Sequence, residues 1–471
     1  MKAKWLFPFL LLLALARGWW VATSQVSPQE AYYWMCAGRL APGFFDGPAG
    51  TALLVRAFGD AFEFARLFWP VMGFLAGWAG WMFLRRVYDE GVAGWAVLLL
   101  NFLPVFNRAS VQVGPLMPAL VLTLTGLVLV KVGWDGRRAA WLGAGAIFAA
   151  ALLFRHEVVL ILLGIVVAVG SSHRHRRDFV WVAVVLLFGA AALWPSLAWN
   201  ASLEWIPILR GTWRSALEFD TARMAASLQA FVIAFSIPVV MLVAAGLVIL
   251  IRSARFHARA GFVAALCLPS WLWCAALLYT GGDAVTPAWL GFLPLVGFVT
   301  AGAWKRPATR GVVQVVIVLA AVFSVLALKK EDWKSLSGEM ALAARELPAT
   351  EQSGFFIAGD PELAAILGYH LPHHSGPPSV FVPESPDVSS QFGIWPSYAD
   401  FVEGGGPANE YFTEQKGVNP YVGRHAVYVG PDLPQTISAA FTQVVPVKTI
   451  VAPDGRQLGI YLCLGYETLP L

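Results

Sequence analysis

Residues 111–132 read VQVGPLMPALVLTLTGLVLVKV, an apolar run whose one charged side chain, Lys131, lies next to its end. A helix that crosses a bilayer needs roughly 20 mostly apolar residues, so this run predicts a transmembrane helix. Ten further runs of the same kind occur, all before residue 330. The eleven predicted spans are Trp5–Val21, Ala65–Leu84, Gly91–Phe106, Val111–Val132, Ala139–Phe154, Val158–Gly170, Phe179–Trp199, Leu228–Ile251, Ala260–Tyr279, Ala284–Trp304 and Gly311–Leu328.

The composition of the whole chain agrees with a membrane protein. Of its 471 residues, 58% are hydrophobic and 13% are charged, whereas soluble domains carry roughly 25% charged residues. This excludes a disordered, fibrous or ordinary cytosolic protein. Four cysteines exclude a disulfide scaffold. The net charge of +4 is small, so the placement of the charges matters more than their sum. We expect membrane lipids as partners and no nucleic acid.

The placement of lysine and arginine orients the predicted helices, because cytoplasmic loops carry an excess of these residues. With the N-terminus inside, sixteen of them lie in inside gaps or at their edges, and eight lie in outside gaps or at their edges. We therefore predict a multi-pass protein of the cytoplasmic (inner) membrane, with a cytoplasmic N-terminus and its C-terminal domain outside. A cleaved signal peptide ending near Ala22-Thr23-Ser24 is the alternative for the first span, although Arg17 within the run favours a retained helix.

The sequence changes character after Leu328, where short β-like runs alternate with helical stretches such as Leu336–Leu347 and Pro361–Leu367. Pro453-Asp454-Gly455 predicts a turn that joins two strands into a hairpin. The β-like runs are Gly354–Ala358, Val380–Val382, Ala426–Val429, Thr449–Val451 and Leu458–Leu462. We predict a transmembrane domain over 1–328, with outer loops at about 22–64 and 200–227, and an extracytoplasmic α/β domain over 329–471.

The first outer loop reads SPQEAYYWMCAGRLAPGFFDGP at residues 27–48. Ser27 with Glu30 three residues later forms a capping box, which would give Glu30 a structural role at the start of a helix. Tyr32 and Tyr33 make that helix amphipathic, and we expect it to lie along the membrane surface. Asp46 precedes a Gly-Pro pair, which is typical of a turn.

The second outer loop is rich in arginine and tryptophan. It contains Trp205, Arg210, Trp213, Arg214 and Arg223. Two interpretations stay open, an interfacial helix anchored by its tryptophans and a cationic site for a lipid phosphate, which arginine binds through its planar fork.

Several motifs resemble those of one enzyme family. QEAYYW at 29–34, GFFDGP at 43–48 and ARLFWP at 65–70 are similar to the DEAYYW, GYFDHPP and RLP pattern of the dolichyl-phosphate-mannose–protein mannosyltransferase superfamily. That superfamily comprises glycosyltransferase family 39 and bacterial relatives that include lipid A aminoarabinose transferases. The resemblance continues in LLFRHEVVLIL at 152–162, WPSLAWN at 194–200 and SSQFGIW at 389–395.

This resemblance implies a GT-C fold and the transfer, with inversion, of a sugar from a polyprenyl-phosphate donor to an acceptor hydroxyl. Such a reaction needs a carboxylate base near the hydroxyl and cations near the departing phosphate. The sequence departs from the family at Gln29, where relatives carry the acid taken as the base, and at Pro118, where relatives carry a second acid.

The candidate site residues follow from these needs. We predict Glu30 or Asp46 as the base. For the donor phosphate we predict the three cations Arg155, Arg210 and Arg214, and for substrate contact Tyr32, Tyr33 and His156. For Arg155 the alternative is a simple ion pair with Glu157.

The leading hypothesis is a polyprenyl-phosphate-sugar-dependent glycosyltransferase that acts on a lipid, glycan or protein acceptor at the outer face. Gln29 and Pro118 favour its first rival, a catalytically impaired GT-C protein that binds a lipid-linked sugar or assists envelope glycan assembly. A transporter ranks third, because the chain lacks charged residues in paired, broken helices.

Other polar clusters have weaker interpretations, and we expect neither a metal nor a cofactor. His370, His373 and His374 could ligate a metal, but the stretch is typical of an exposed turn. Asp283 is a weaker candidate acid at a helix end. Cys36 and Cys463 both fall on the predicted outer side, and the sequence leaves their pairing open.

Overall fold

The chain forms two compact units in the computed structural model. The first consists of Met1–Thr23 and Leu40–Lys329, and the second of Ser24–Arg39 and Lys330–Leu471. The structure describes residues 3–59, 61–172, 178–209, 220–254, 257–303, 307–328, 330–348, 354–371, 380–385, 388–399, 419 and 421–467. The segment 24–39, predicted as part of an outer loop of the transmembrane domain, thus groups with the C-terminal unit.

Helices dominate the first 330 residues. The elements are, in chain order, α1 (Ala3–Thr23), α2 (Pro28–Gly38), β1 (Gly43–Phe44), β2 (Gly47–Pro48), α3 (Gly50–Ala57), α4 (Phe62–Val87), α5 (Glu90–Asn101), α6 (Pro104–Val111), α7 (Leu116–Trp134), α8 (Ala140–Leu152), α9 (Val158–Ser171), α10 (Phe179–Ser202), α11 (Ile206–Ile208), α12 (Thr221–Phe235), α13 (Ile237–Ala254), α14 (Ala258–Thr280), α15 (Val285–Ala303) and α16 (Pro307–Ala327).

The predicted class, a polytopic helical membrane protein, is confirmed. Within the described ranges eight helices are long and apolar enough to cross a membrane, and nine if α5 and α6 count as one bent span. The predicted spans at 139–154 and 158–170 fall on α8 and α9, which are shorter apolar helices. The predicted span Leu228–Ile251 instead covers parts of α12 and α13, because the chain breaks at Ser236, which has a φ of +66°.

The outer surfaces of these helices are apolar, as lipid contact requires. Val325 is 73% exposed, Trp194 70% and Leu187 69%. Inside the unit, glycines let helices approach closely. A Cβ at Gly126 of α7 would lie 2.8 Å from the Phe148 ring of α8, the small-residue contact common between membrane helices.

The bend between α5 and α6 is held by a buried arginine. The two helices meet at 69°, and the Arg17 guanidinium of α1, 5% exposed, donates to the Asn101 carbonyl at 2.9 Å and to Asn107 Oδ1 at 2.7 Å. Asn107 Nδ2 donates in turn to Ser324 Oγ of α16 at 3.0 Å. This network joins α1, α16 and both arms of the bend.

The second unit is built on a five-stranded mixed sheet. Its further elements are α17 (Trp333–Ala344), β3 (Phe355–Ala358), α18 (Pro361–His370), β4 (Val380–Phe381), β5 (Ala426–Gly430), α19 (Gln435–Ala440), β6 (Phe441–Val451) and β7 (Gln457–Tyr466). The strand order is β4-β3-β5-β7-β6, with β3 parallel to β4 and to β5, and with β7 antiparallel to β5 and β6.

Each predicted β-like run lies on one of these strands, and the predicted hairpin is confirmed. Strands β6 and β7 pair from Phe441↔Tyr466 to Val451↔Gln457 around the predicted turn, where Gly455 has a φ of +93°. Aromatic rings fill the core on one side of the sheet, with the Phe355 ring 5.1 Å from that of Tyr421. The α/β assignment of the C-terminal part is therefore correct.

Candidate active site

Asp46 lies at the tip of a two-residue hairpin in the first unit. Gly43 pairs with Pro48 and Phe44 with Gly47, which leaves Phe45 and Asp46 as the connecting residues. The Asp46 side chain is exposed. A carboxylate at an exposed turn is accessible to an incoming hydroxyl, so the local sequence presents the group that the predicted reaction needs.

The hairpin packs directly against helix α10. A Cβ at Gly43 would lie 2.7 Å from the Trp199 ring and 3.2 Å from Ser196 Oγ. Only glycine therefore permits this approach without a shift of its neighbours. The hairpin is fixed against the second half of the helix that carries the WPSLAWN motif.

The segment after the hairpin is fixed to the connection between α8 and α9. The Gly50 N–H, at the start of α3, donates to the Leu153 carbonyl at 2.7 Å. A Cβ at Gly50 would lie 2.3 Å from that same oxygen. The connection of residues 153–157 carries three of the charged or titratable groups singled out from the sequence, namely Arg155, His156 and Glu157.

The hairpin and this connection meet at Ser196. His156 Nε2 and Ser196 Oγ are 3.1 Å apart and share a hydrogen bond. Arg155 Nη1 lies 3.7 Å from Glu157 Oε1, with both side chains only partly exposed. The ion pair with Glu157, which was the predicted alternative for Arg155, is thus present. It also fixes the position of the Arg155 guanidinium beside the site.

Sequence reasoning assigned no role to Ser196 or Asn200. Ser196 is 3% exposed and Asn200 2% exposed, and Asn200 Nδ2 donates to the Ser196 carbonyl at 2.8 Å. Asn200 Oδ1 is buried and accepts no hydrogen bond from the part of the chain that the structure describes. The signal was available, because polar residues within the apolar α10 run are costly at membrane depth and tend to be functional.

Burial lowers the pKa of His156, while Glu157 raises it and Arg155 lowers it further. The net direction is downward, so the folded protein favours the neutral imidazole at and above the ordinary histidine pKa of about 6.5. A neutral ring suits the hydrogen bond with Ser196, because neutral Nε2 can either donate to the Ser196 hydroxyl or accept from it, depending on the tautomer.

This shift predicts a pH-dependent stability. Because the unfolded chain binds a proton at His156 more readily, the free energy of unfolding should fall as the pH drops below about 6.5. We would measure thermal unfolding midpoints by tryptophan fluorescence between pH 5 and 8. As the pH is lowered, the midpoint should fall less steeply in His156→Gln than in the wild type. His257→Gln, at an exposed histidine, is the control, and an equal change of slope in it would contradict the assignment to His156.

The contact at Gly50 gives a second prediction. Gly50→Ala places a methyl group against the Leu153 carbonyl, and two backbone segments must separate to admit it. We expect a loss of about 1–3 kcal/mol in stability, the usual cost of overpacking, measured by thermal unfolding in detergent. Gly18→Ala is the matched control, because no atom lies within 4 Å of a Cβ at Gly18. Equal midpoints for the two variants would show that the contact is not rigid.

Three predicted residues, Glu30, Tyr32 and Tyr33, lie in the second unit, on α2. The predicted capping box is confirmed, since Glu30 Oε2 accepts from the Ser27 N–H at 2.8 Å and the Glu30 N–H donates to Ser27 Oγ at 3.4 Å. Glu30 is 1% exposed and Tyr33 4% exposed. The Tyr32 ring lies 5.2 Å from that of Tyr33 and 6.4 Å from that of Trp395.

The remaining candidates are placed as follows. Arg210 and Arg214 lie outside the described residues, as do His373 and His374. Within the described ranges no group of three His, Cys, Asp or Glu side chains is placed to hold a metal ion. Asp283 caps α15 by accepting from the Val285 N–H at 3.0 Å and the Thr286 hydroxyl at 2.7 Å.

The two cysteines whose pairing the sequence left open do not form a disulfide. Cys36 and Cys463 are both buried, and no bond joins their sulfur atoms. Burial raises the pKa of Cys463 to about 12, so this thiol stays protonated at neutral pH and takes part in the core of the second unit.

Comparisons with known proteins agree with this architecture. The family model described as dolichyl-phosphate-mannose-protein mannosyltransferase matches residues 48–199, the stretch that runs from the hairpin to α10. No match was found among curated proteins.

Solved structures are similar to this chain over most of its length. The crystal structure of ArnT from Cupriavidus metallidurans bound to undecaprenyl phosphate is 13% identical, with a TM-score of 0.61 and coverage of 100% of both chains. Its apo state gives 13% identity and a TM-score of 0.60, covering 96% of this chain and 97% of that one. The crystal structure of the Archaeoglobus fulgidus oligosaccharyltransferase, tethered to an acceptor peptide, is 12% identical, with a TM-score of 0.50. The match covers 91% of this chain and 69% of that one.

The chain is a multi-pass membrane protein with the GT-C fold of these structures, and its residues 48–199 match the mannosyltransferase family model. The predicted resemblance to the dolichyl-phosphate-mannose–protein mannosyltransferase superfamily and its ArnT-like relatives is thereby confirmed.

Proposed function

We propose that this protein transfers a sugar from a polyprenyl-phosphate donor to a hydroxyl of a lipid, glycan or protein acceptor on the outer face of the cytoplasmic membrane. The observation that carries the proposal is the meeting of the Asp46 hairpin and the Arg155–Glu157 connection at Ser196. It brings a segment bearing an exposed carboxylate and a segment bearing a cation to one place in the membrane unit.

The donor class is supported by a structural neighbour. ArnT from Cupriavidus metallidurans, which shares the fold over its full length, was crystallised with undecaprenyl phosphate. A long apolar donor suits a protein whose helices expose large apolar side chains such as Trp194 and Leu187 along their length. The outer-face location follows from the predicted excess of lysine and arginine in the inside gaps.

The proposed mechanism assigns each step to a group. Asp46 accepts the proton of the acceptor hydroxyl, and the oxygen attacks the anomeric carbon from the face opposite the phosphate. The bond from the anomeric carbon to the phosphate oxygen breaks, and the polyprenyl phosphate leaves with that electron pair. Arg155, with Arg210 and Arg214, stabilises the charge on the departing phosphate.

Tyr32, Tyr33 and His156 remain proposed substrate contacts. His156 would act in its neutral form, as a hydrogen-bond partner rather than as a charge, because burial lowers its pKa. Glu30 is the weaker choice for the base, since its carboxylate is buried within the capping box.

Release of the lipid product tests the proposal. Purified full-length protein in liposomes would be incubated with undecaprenyl phosphate linked to mannose, glucose or aminoarabinose, together with an envelope extract that supplies lipid, glycan and protein hydroxyls as acceptors. Free undecaprenyl phosphate would be measured. Catalytic release from one of these donors is expected. Tight donor binding without release would refute the enzyme and indicate the rival, an impaired GT-C protein, for which Gln29 and Pro118 are the sequence arguments.

A further inference from the structure

The second unit contains a cavity at one edge of its sheet. Its volume is about 310 Å³, and it is lined by Gly359, which follows β3, by Val382, which follows β4, and by Thr436, beyond the end of β5. These three strands are mutually parallel, so the cavity lies at their carboxyl ends. In open α/β sheets this is the edge where small ligands bind, and the volume is at the lower end of the range for ligand sites.

The cavity has one apolar wall and several hydroxyl groups. Trp395, 9% exposed, and Phe392, 6% exposed, line it, and their rings pack edge to face with centroids 5.2 Å apart. Ser389 and Ser390 contribute to the same lining. A sugar ring presents an apolar C–H face and an equatorial belt of hydroxyls, and an aromatic wall beside polar side chains complements both.

An arginine lies over the aromatic wall. The Arg39 guanidinium carbon is 4.8 Å from the centroid of the Trp395 ring, a cation–π distance, and Arg39 also lines the cavity. Within the described ranges Arg39 forms no ion pair with a carboxylate. A guanidinium at this position can bind a carboxylate or phosphate through two parallel hydrogen bonds.

A carboxylate completes the lining. Glu384 accepts a hydrogen bond from the Ser397 hydroxyl, and both residues border the cavity. The negative charge of Glu384 disfavours a bare anion such as phosphate, because the anion would be repelled by Glu384 as well as attracted by Arg39. It favours a ligand that carries neutral hydroxyl donors together with one anionic group.

We propose that this cavity binds a sugar ring that bears one anionic substituent, a carboxylate or a phosphate, with the ring against Trp395, its hydroxyls on Glu384 and the serines, and its anion on Arg39. The proposal rests on the proposed function, for which it defines the acceptor as a glycan with an anionic sugar. None of the residues it uses belongs to the membrane-unit site around Asp46.

Binding of soluble probes tests it. Full-length protein in lipid nanodiscs would be titrated with glucose 6-phosphate, glucuronate, glucose and inorganic phosphate, and dissociation constants measured by calorimetry with saturation-transfer NMR as a second readout. We expect at least one of the two anionic sugars to bind about tenfold or more tightly than both glucose and phosphate. Comparing glucose 6-phosphate with glucuronate shows whether the cavity prefers a phosphate or a carboxylate. Equal binding of inorganic phosphate, equal binding of glucose, or no binding of either anionic sugar would each overturn the proposal.

Variants locate the binding. Arg39→Gln should weaken the preferred anionic sugar about tenfold or more and leave glucose unchanged, since it removes one charge-assisted contact. Ser390→Ala should weaken every sugar, and thermal unfolding confirms that both variants are folded. Arg345→Gln, at an exposed cation of the same unit away from the cavity, is the matched control. Unchanged binding in Arg39→Gln would refute the assignment.

The two proposals fail separately. Sugar binding is measured without donor, and donor cleavage is measured without the sugar probes. Absence of undecaprenyl phosphate release with intact sugar binding would refute only the catalytic function, whereas release without sugar binding would refute only the cavity.

Discussion

Replacing Asp46 by asparagine is expected to lower the turnover of donor by about 10²–10⁴-fold, the contribution of a positioned general base. Asparagine retains the size and hydrogen-bonding capacity of the side chain but cannot accept a proton at neutral pH. The effect should appear in kcat rather than in donor affinity, because the substitution removes a group that acts only as the hydroxyl attacks. Undecaprenyl phosphate release under donor saturation measures it.

The choice of Asp46 over Glu30 depends on how exposed each carboxylate is. Glu30 is 1% exposed, and one of its oxygens accepts the N–H of Ser27 in the capping box. Asp46 is exposed at the hairpin tip. Loss of a capping interaction costs about 0.5–2 kcal/mol, so Glu30→Ala should lower the thermal midpoint more than it lowers turnover, and Asp46→Asn should do the reverse. Glu30→Gln should leave both nearly unchanged, because its amide oxygen can still accept the Ser27 N–H in the capping box.

The control for these variants is Glu204→Gln. Glu204 is an exposed carboxylate that follows α10, and a surface substitution of this kind usually changes stability by no more than about 0.5 kcal/mol. It should keep near wild-type turnover and stability. Full activity in Asp46→Asn would refute Asp46 as the base, and loss of turnover in Glu30→Gln without loss of stability would transfer the role to Glu30.

Much of the fold could be predicted because it follows from local patterns. Apolar runs of sufficient length predict spans, a serine three residues before a glutamate predicts a helix start, and a Pro-Asp-Gly turn predicts a hairpin. The break at Ser236 was not predicted, although Pro238 two residues later is a residue near which helices often begin or end. The break itself depends on the φ of +66° at Ser236, a backbone conformation that the apolar run does not specify.

The candidate site was predictable only where its residues are close in sequence. Arg155 and Glu157 are two residues apart, and their pairing was foreseen as one alternative. The contact between His156 and Ser196 joins positions 40 residues apart, and the grouping of Glu30 with the C-terminal unit joins the first outer loop to residues beyond 329. Such contacts depend on packing between helices and between distant segments, which the periodicity of one sequence does not contain.

Arg17 shows the same limit at the bend between α5 and α6. From the sequence it only argued against a signal peptide, whereas the structure gives it partners 84 and 90 residues away, Asn101 and Asn107. Its guanidinium donates to the carbonyl of Asn101, the last residue of α5, where an unsatisfied helix carbonyl and the helix dipole both favour a cation. The Phe106 ring of α6 lies 5.0 Å from the guanidinium carbon.

Arg17→Met is accordingly expected to destabilise the folded protein by about 3 kcal/mol, because it leaves buried acceptors on Asn101 and Asn107 without their charged donor. A fall of about 5 °C or more in the thermal midpoint in detergent would measure it. Arg17→Lys should recover part of the loss, since one ammonium keeps the charge but cannot reach both asparagines through a planar fork.

Arg108→Met provides the matched control on the same bent pair. Arg108 is an exposed residue of α6 that bonds Gln112 at 2.9 Å, so its loss should change the free energy of unfolding by no more than about 0.5 kcal/mol. A midpoint for Arg17→Met equal to that of Arg108→Met would mean that the cost of burying an unpaired cation cancels its hydrogen bonds. The bend would then be maintained by Pro104 and apolar packing, and the network around Arg17 would contribute nothing to stability.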